Sequence, residues 1–189
     1  RTSPLTGSLE RLGVRVSLGH DSRLVDFDGG FVVRSAAIPA DNPELVQARR
    51  LGLPVYKYSQ VLGQITRERP TFAVAGTHGK TSTCGLALAA FRGAGMDPGY
   101  ILGGSVNGDS RLGGRRGSQE HLLVEACEYD HSFLRLSPRA AVILNVDADH
   151  FDCYRDRREM EAAYRLFLRR IQPGGLAVPE GTVTRPGGG

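Results

Sequence analysis

The sequence predicts an α/β protein built on parallel sheet, and three observations predict it. Short apolar runs alternate with segments of helical spacing along most of the 189 residues, the pattern of parallel strands joined by crossover helices. One run, Phe72-Ala73-Val74-Ala75, passes straight into a glycine loop, Gly76-Thr77-His78-Gly79. Lys80-Thr81-Ser82 follows, and then an Ala/Leu-rich segment over 84–91. Two further runs, at 122–124 and 141–144, lead directly into clusters of acids, the second containing His150.

The elements follow in order. Residues 8–12 read as the tail of a helix that Gly13 stops. Residues 14–16 are expected to form a short strand and 31–33 a second. Asn42 should cap a helix through Arg50, with Pro43 at its first position, where the missing N–H costs nothing. Gly52 stops that helix, 54–56 begin another strand, and 58–67 have helical spacing. A first strand followed by G-x-G-x-x-G would open a dinucleotide-type domain, and that loop is absent. Residues 1–69 are therefore expected to be a partial Rossmann-like domain that starts partway through. Arg69-Pro70 marks the boundary to a central P-loop domain over 70–189.

In that second domain, Gly93-Ala94-Gly95 ends the helix after the loop, and 100–104 run as a strand into a glycine turn. Residues 108–117 are polar and Gly/Arg-rich, an exposed and mobile loop by expectation. Strands are expected at 121–124 and 140–144. A helix is expected over 158–171, from the spacing of Met160, Ala163, Tyr164, Phe167, Leu168 and Ile171. Pro173-Gly174-Gly175 stops it, 176–178 start a strand, and 184–189 carry no folded signature.

Composition narrows the function. A net charge of +4, evenly spread, gives no footprint for nucleic acid. No apolar run approaches the ~18 residues of a membrane span, so no membrane insertion is expected. Cys84, Cys127 and Cys153 lack C-x-x-C spacing, which argues against a disulfide framework or zinc site and suits a reducing, cytoplasmic setting. The chain has only two lysines, Lys57 and Lys80. One of so few at the end of a glycine loop looks less like chance.

The loop's chemistry is that of a phosphate cradle. Gly76, Thr77, His78 and Gly79 can turn backbone N–H groups toward an anion, and the helix start adds its positive dipole end. Lys80 can set a cation on the β- and γ-phosphates of ATP, and the Thr81 hydroxyl can bind Mg²⁺. The loop is a compact variant, because G-x-x-x-x-G-K-[ST] would need glycine where Val74 stands. A glycine-rich turn with an accidental Lys-Thr is the plain alternative. Glu125 alone reads as a solvated loop acid, and His150 alone as a capping or core histidine. All three sites, however, follow apolar strands, and open parallel sheets bind ligands beyond their carboxyl ends. Lys80, Thr81, Glu125 and His150 are thereby expected to meet around one nucleotide and its metal.

Three segments, GTHGKT at 76–81, VEACEYDHSFL at 124–134 and NVDADHFDCY at 145–154, resemble the Mur ligases of bacterial cell-wall synthesis. SAAIPADNPE at 35–44 and the Gly19-His20 pair are similar to the N-terminal domain of that family. His78 favours the branch that acts on UDP-N-acetylmuramate and L-alanine, and a close relative of that branch. The resemblance implies a Mur ligase central domain and an ATP-dependent ligation through an acyl phosphate. In it Lys80 neutralises the γ-phosphate, Thr81 and Glu125 hold Mg²⁺, and His150 helps to hold a second Mg²⁺. It also implies that His20 and the turn of Ser35, Ala36, Ala37 and Ile38 lie near the UDP group; an ordinary loop role for these residues stands beside that.

Departures from the family pattern matter too. The second motif usually reads EADE, and Cys127 replaces its acid. The family's third domain, which closes over ATP, is not in the sequence, and no lysine lies in 151–189, as the muramate–alanine branch also lacks one there. The expectation is a chain that folds in its central part, binds nucleotide weakly and does not turn over alone. Two rivals remain: a murein-peptide recycling ligase acting on the same sugar nucleotide, and a non-catalytic nucleotide-binding paralogue.

Overall fold

A computed structural model of the chain describes residues 4–104, 113–147 and 153–179. The chain divides into two compact units, Arg1–Val61 and Leu62–Gly189.

The first unit opens with helix α1, Pro4–Arg11, and Gly13 follows it at φ +83°, as a helix-stopping glycine should. The expected strand at 14–16 is not formed. Strand β1, Val32–Arg34, pairs in parallel with β2, Val55–Lys57, in a two-stranded sheet. Residues 14–16 find no place in that ladder, and a strand without a partner leaves its N–H and C=O groups to water. Helix α2, Pro43–Arg50, begins as its sequence dictates: the Asn42 side chain accepts from the N–H groups of Glu44 and Leu45. Leu45 and Ala48 carry its buried face. Helix α3, Tyr58–Glu68, runs across the division between the units.

The second unit is a six-stranded sheet of order β5-β4-β6-β3-β7-β8. Its members are β3 (Thr71–Ala75), β4 (Gly99–Ile101), β5 (Gly114–Arg115), β6 (Leu122–Ala126), β7 (Ala140–Ile143) and β8 (Leu176–Pro179). All pairs are parallel except β4 with β5. Strand β5 lies inside the span expected to be loop. Asp97 draws it into the sheet: both carboxylate oxygens meet the Arg115 guanidinium, and one also accepts from the Ser118 N–H. The part of that span at 108–112 lies outside the described residues.

Two apolar clusters cover the sheet's faces, as alternation requires. Ala73, Ala75, Leu122, Val124 and Ala126 belong to the larger, with Phe133, Met160, Tyr164 and Phe167 packed over them. Val74 and Leu123 belong to the other, with Cys84 and Leu88 of helix α4, Lys80–Gly93. Helix α4 begins four residues before the apolar segment that announced it, because Gly79 at φ +81° starts it directly at Lys80. Helix α5, Arg157–Leu168, is shorter than expected and is capped by Asp156, whose side chain accepts from the Glu159 N–H.

Candidate phosphate-loop site

Strand β3 sits between β6 and β7, with Ala75 in register with Ala126 on one side and Ile143 on the other. The three strands end together, and the loop 76–79 rises from that edge. Val74 is a strand residue with 3% of its surface exposed, so no loop glycine belongs there. Gly76 does that work at φ +139°. A Cβ on it would lie 3.0 Å from Leu144 Cβ and 3.1 Å from the Asn145 nitrogen, so only glycine lets the loop pass this close to the end of β7.

Asn145 holds the loop from that side. Its Oδ1 accepts from the His78 N–H at 2.8 Å, its Nδ2 donates to the His78 carbonyl at 3.2 Å, and its own carbonyl accepts from the Thr77 N–H at 3.1 Å. The Thr77 hydroxyl bonds the Asp147 N–H and carbonyl. Thr77 is buried, while His78, Gly79 and Ser82 are exposed and Thr81 is half-buried.

Charge comes from the β6 side. Glu125 is the fourth residue of that strand, not a loop acid following it. Alternation turns it away from Val124 and onto the face that carries Leu123 and α4, and its Oε2 accepts from the Thr81 hydroxyl and the Gly103 N–H, each at 2.9 Å. Burial, then the Glu125 charge, pushes the Cys84 thiol up to about 12. That thiol stays protonated and unreactive in neutral solution.

Glu128, which the sequence reading passed over, is fully buried. Its two oxygens lie 3.1 and 3.0 Å from Lys80 Nζ, and Nζ also donates to the carbonyls of Gly76 at 2.6 Å and Thr77 at 3.1 Å. The Tyr154 hydroxyl donates to the Glu128 carbonyl at 2.7 Å. Burial first, and then the Glu128 charge, raise the phenols of Tyr154 and Tyr164 above the ordinary tyrosine range. Cys127 is exposed; desolvation by surrounding protein is the largest of the effects that raise its thiol. It is the residue at 128, one beyond the EADE departure, whose acid meets the lysine. Asp130 and His131 then turn the chain at φ +53° and +52°, a conformation unusual for side-chain-bearing residues.

The structure thus brings Lys80, Thr81 and Glu125 together. His150 lies outside the described residues. Among the described residues no group of three or more His, Cys, Asp or Glu side chains is gathered for a metal.

In the first unit, His20 Nδ1 lies 2.9 Å from Glu44 Oε1. Both line a cavity of about 550 Å³ with Arg15, Ser17, Gly19 and Arg23. Ser35, Ala36, Ala37 and Ile38 do not line it; Arg34 ties their turn by donating to the Ser35 and Ile38 carbonyls. No helix among the described residues is long and apolar enough to cross a membrane.

Strand, glycine loop and helix start, flanked by one acid in the neighbouring strand and one just beyond its end, define a P-loop α/β protein. The comparisons narrow the class. Residues 74–181 match the model of the Mur ligase middle domain, and residues 1–70 match that of the Mur ligase family, catalytic domain. The chain belongs to the Mur ligase family.

It is 39% identical over 178 residues to the UDP-N-acetylmuramate–L-alanine ligase of Carboxydothermus hydrogenoformans, covering 94% of this chain and 38% of that protein. With the enzyme of the same name from Solidesulfovibrio magneticus it shares 44% over 170 residues, covering 90% and 37%. The chain therefore spans a little over a third of these curated relatives. Among solved structures, the UDP-N-acetylmuramate:L-alanyl-γ-D-glutamyl-meso-diaminopimelate ligase of Neisseria meningitidis superposes with a TM-score of 0.85 at 27% identity, covering 96% of this chain and 61% of that one. The UDP-N-acetylmuramate–alanine ligase of Thermotoga maritima gives 0.81 at 24%, covering 92% and 40%, a likeness of fold.

Proposed function

We propose that this chain carries the nucleotide-binding part of an ATP-dependent ligase that joins L-alanine to the carboxylate of UDP-N-acetylmuramate in peptidoglycan precursor synthesis. The observation that carries the reading is the meeting of Lys80, Thr81 and Glu125 at one sheet edge, with Thr81 Oγ1 2.9 Å from Glu125 Oε2. The names of the relatives at about 40% identity support the substrate pair.

In the proposed reaction a muramate carboxylate oxygen attacks the γ-phosphorus of ATP, ADP leaves, and an acyl phosphate forms. The alanine amine then attacks the acyl carbon, phosphate leaves, and the amide is made. Such transfers depend on positioning and charge stabilisation rather than on covalent work by the protein. Lys80 sets its ammonium against the charge that develops on the transferred group. The N–H groups of the first turn of α4 have no partner one turn back within the helix and face the phosphate position with its dipole.

Thr81 and Glu125 fit Mg²⁺. Their oxygens are hard donors, and Gly103 and Gly104 keep the space beside them clear. A Cβ at Gly103 would lie 3.2 Å from Glu125 Oε1, and one at Gly104 would lie 3.0 Å from Thr81 Cγ2. The bound ion supplies neutralisation of phosphate charge, and His150 is assigned to a second ion. His20 and its cavity are assigned to the UDP end of the sugar nucleotide, with Ser35, Ala36, Ala37 and Ile38 outside that wall.

Calorimetric titration tests the reading. MgATP should bind the wild-type chain, and Glu125→Gln should raise the Mg²⁺ concentration needed. A folded wild-type chain that ignores millimolar MgATP contradicts it. A second reading, ligation of a peptide to the same sugar nucleotide, draws on the TM-score of 0.85 with the tripeptide-adding neighbour. Phosphate release from a ligase containing this chain, with L-alanine set against a tripeptide, separates the two.

A further inference from the structure

Lys80 has three N–H donors and no others. In this structure four acceptor atoms lie within 3.1 Å of its nitrogen: the Gly76 and Thr77 carbonyls and both Glu128 oxygens. No donor is left over for a phosphate. The lysine side chain is 12% exposed and Glu128 is fully buried, so the pair is little screened by water. The Tyr154 hydroxyl fixes the Glu128 backbone from behind. A triphosphate entering the loop must therefore take Lys80 donors away from groups that already hold them.

We propose that Glu128 is a positioning residue acting through Lys80: its carboxylate takes the donors that a phosphate would take, holds the ammonium at the loop's mouth, and gives up that hold to an arriving nucleotide. The proposal rests on the nucleotide-loop reading above. It adds a residue outside that reading's machinery and sets a direction for its effect. Glu128 competes with phosphate, so neutralising it strengthens nucleotide binding, whereas loss of a residue that touches the nucleotide weakens it.

Two measurements on the whole chain test this. Only Lys57 and Lys80 carry side-chain amines, so reductive methylation followed by mass spectrometry reads Lys80 with Lys57 as internal reference. Without nucleotide, Glu128→Gln should speed methylation of Lys80 about tenfold, the scale of one lost charge-assisted hydrogen bond, with Lys57 unchanged. A general loosening of the fold would quicken both lysines. An unchanged Lys80 rate overturns the proposal. In the second measurement, titration with a fluorescent ATP analogue and Mg²⁺ should give affinity about tenfold tighter in Glu128→Gln than in wild type. Equal or weaker affinity also overturns it. Should Glu128→Gln fail to fold, Glu128→Asp keeps the charge but draws it back by one methylene, and an intermediate rise in Lys80 methylation is expected. If the wild type binds no nucleotide, the functional reading fails, while the methylation rates still judge the ion pair.

Discussion

The two strands that flank β3 meet the phosphate loop in different ways. The end of β6 brings charge: Glu125 to the Thr81 hydroxyl and Glu128 to the Lys80 ammonium. The end of β7 brings shape: the neutral Asn145 bonds both backbone groups of His78, and Leu144 presses against Gly76. One side sets the electrostatics of the loop and the other sets its backbone. Substitutions on the two sides should therefore fail differently.

The largest effect is expected on the charged side. Lys80→Ala should lower MgATP affinity by more than about a hundredfold, since several charge-assisted contacts go at once. It should also cost about 3 kcal/mol of stability, because it takes the ammonium away from a buried carboxylate. Denaturant unfolding of Lys80→Ala and of Lys80→Ala with Glu128→Gln separates the two losses. The double variant should regain stability and stay defective in binding. A single variant as stable as wild type would break the claim that the Glu128 charge is buried against this lysine.

Next comes the shape side. Asn145→Ala removes two hydrogen bonds to His78 and should weaken MgATP binding about tenfold, with a slope against Mg²⁺ concentration like that of wild type. A changed Mg²⁺ dependence would erase the distinction between the two sides. Glu125→Gln should do the reverse: a roughly tenfold higher Mg²⁺ requirement, with nucleotide affinity at saturating Mg²⁺ close to wild type, read from binding at stepped Mg²⁺.

The smallest effect lies away from the loop. The hydrogen bond from Arg115, ahead of those from Ser118, holds the Asp97 carboxyl well below the usual carboxylate range. A carboxyl lowered in the folded state contributes stability that is complete above its unfolded pKa and is lost as pH falls through its folded one. Arg115→Ala should thus lower the neutral plateau of a melting-temperature profile slightly, flatten its acid limb below about pH 4, and leave the melting temperature at the acid end nearly unchanged. An acid limb as steep as that of wild type would contradict it.

What could be read in advance follows the same division. Short apolar runs, the Asn42-Pro43 cap and the glycine stops are local signals, and the structure has β1, α2, β3 and β7 within a residue or two of where they point. The run at 14–16 has the same local look and fails, because a strand is a property of a pair. β5 is the converse: Gly114–Arg115 is unremarkable as sequence and becomes a strand through Asp97, far from it along the chain. Within the site, Lys80 and Thr81 were legible because loop chemistry demands those types. The side chain at Glu125 was legible too, but not its place inside the strand. Glu128 was missed although it stands in a motif already singled out. Its role depends on burial and on an approach to Lys80 across 48 residues of sequence. Asn145 was missed for a similar reason, since an amide that braces backbone leaves no chemical signature.

A structure of the chain with Mg²⁺ and a non-hydrolysable ATP analogue tests the central claim most directly. The account predicts the ion between Thr81 Oγ1 and the Glu125 carboxylate, and Lys80 Nζ within hydrogen-bond reach of the β- or γ-phosphate. A nucleotide seated elsewhere, or an ion that leaves Glu125 bonded to Thr81 alone, would contradict it.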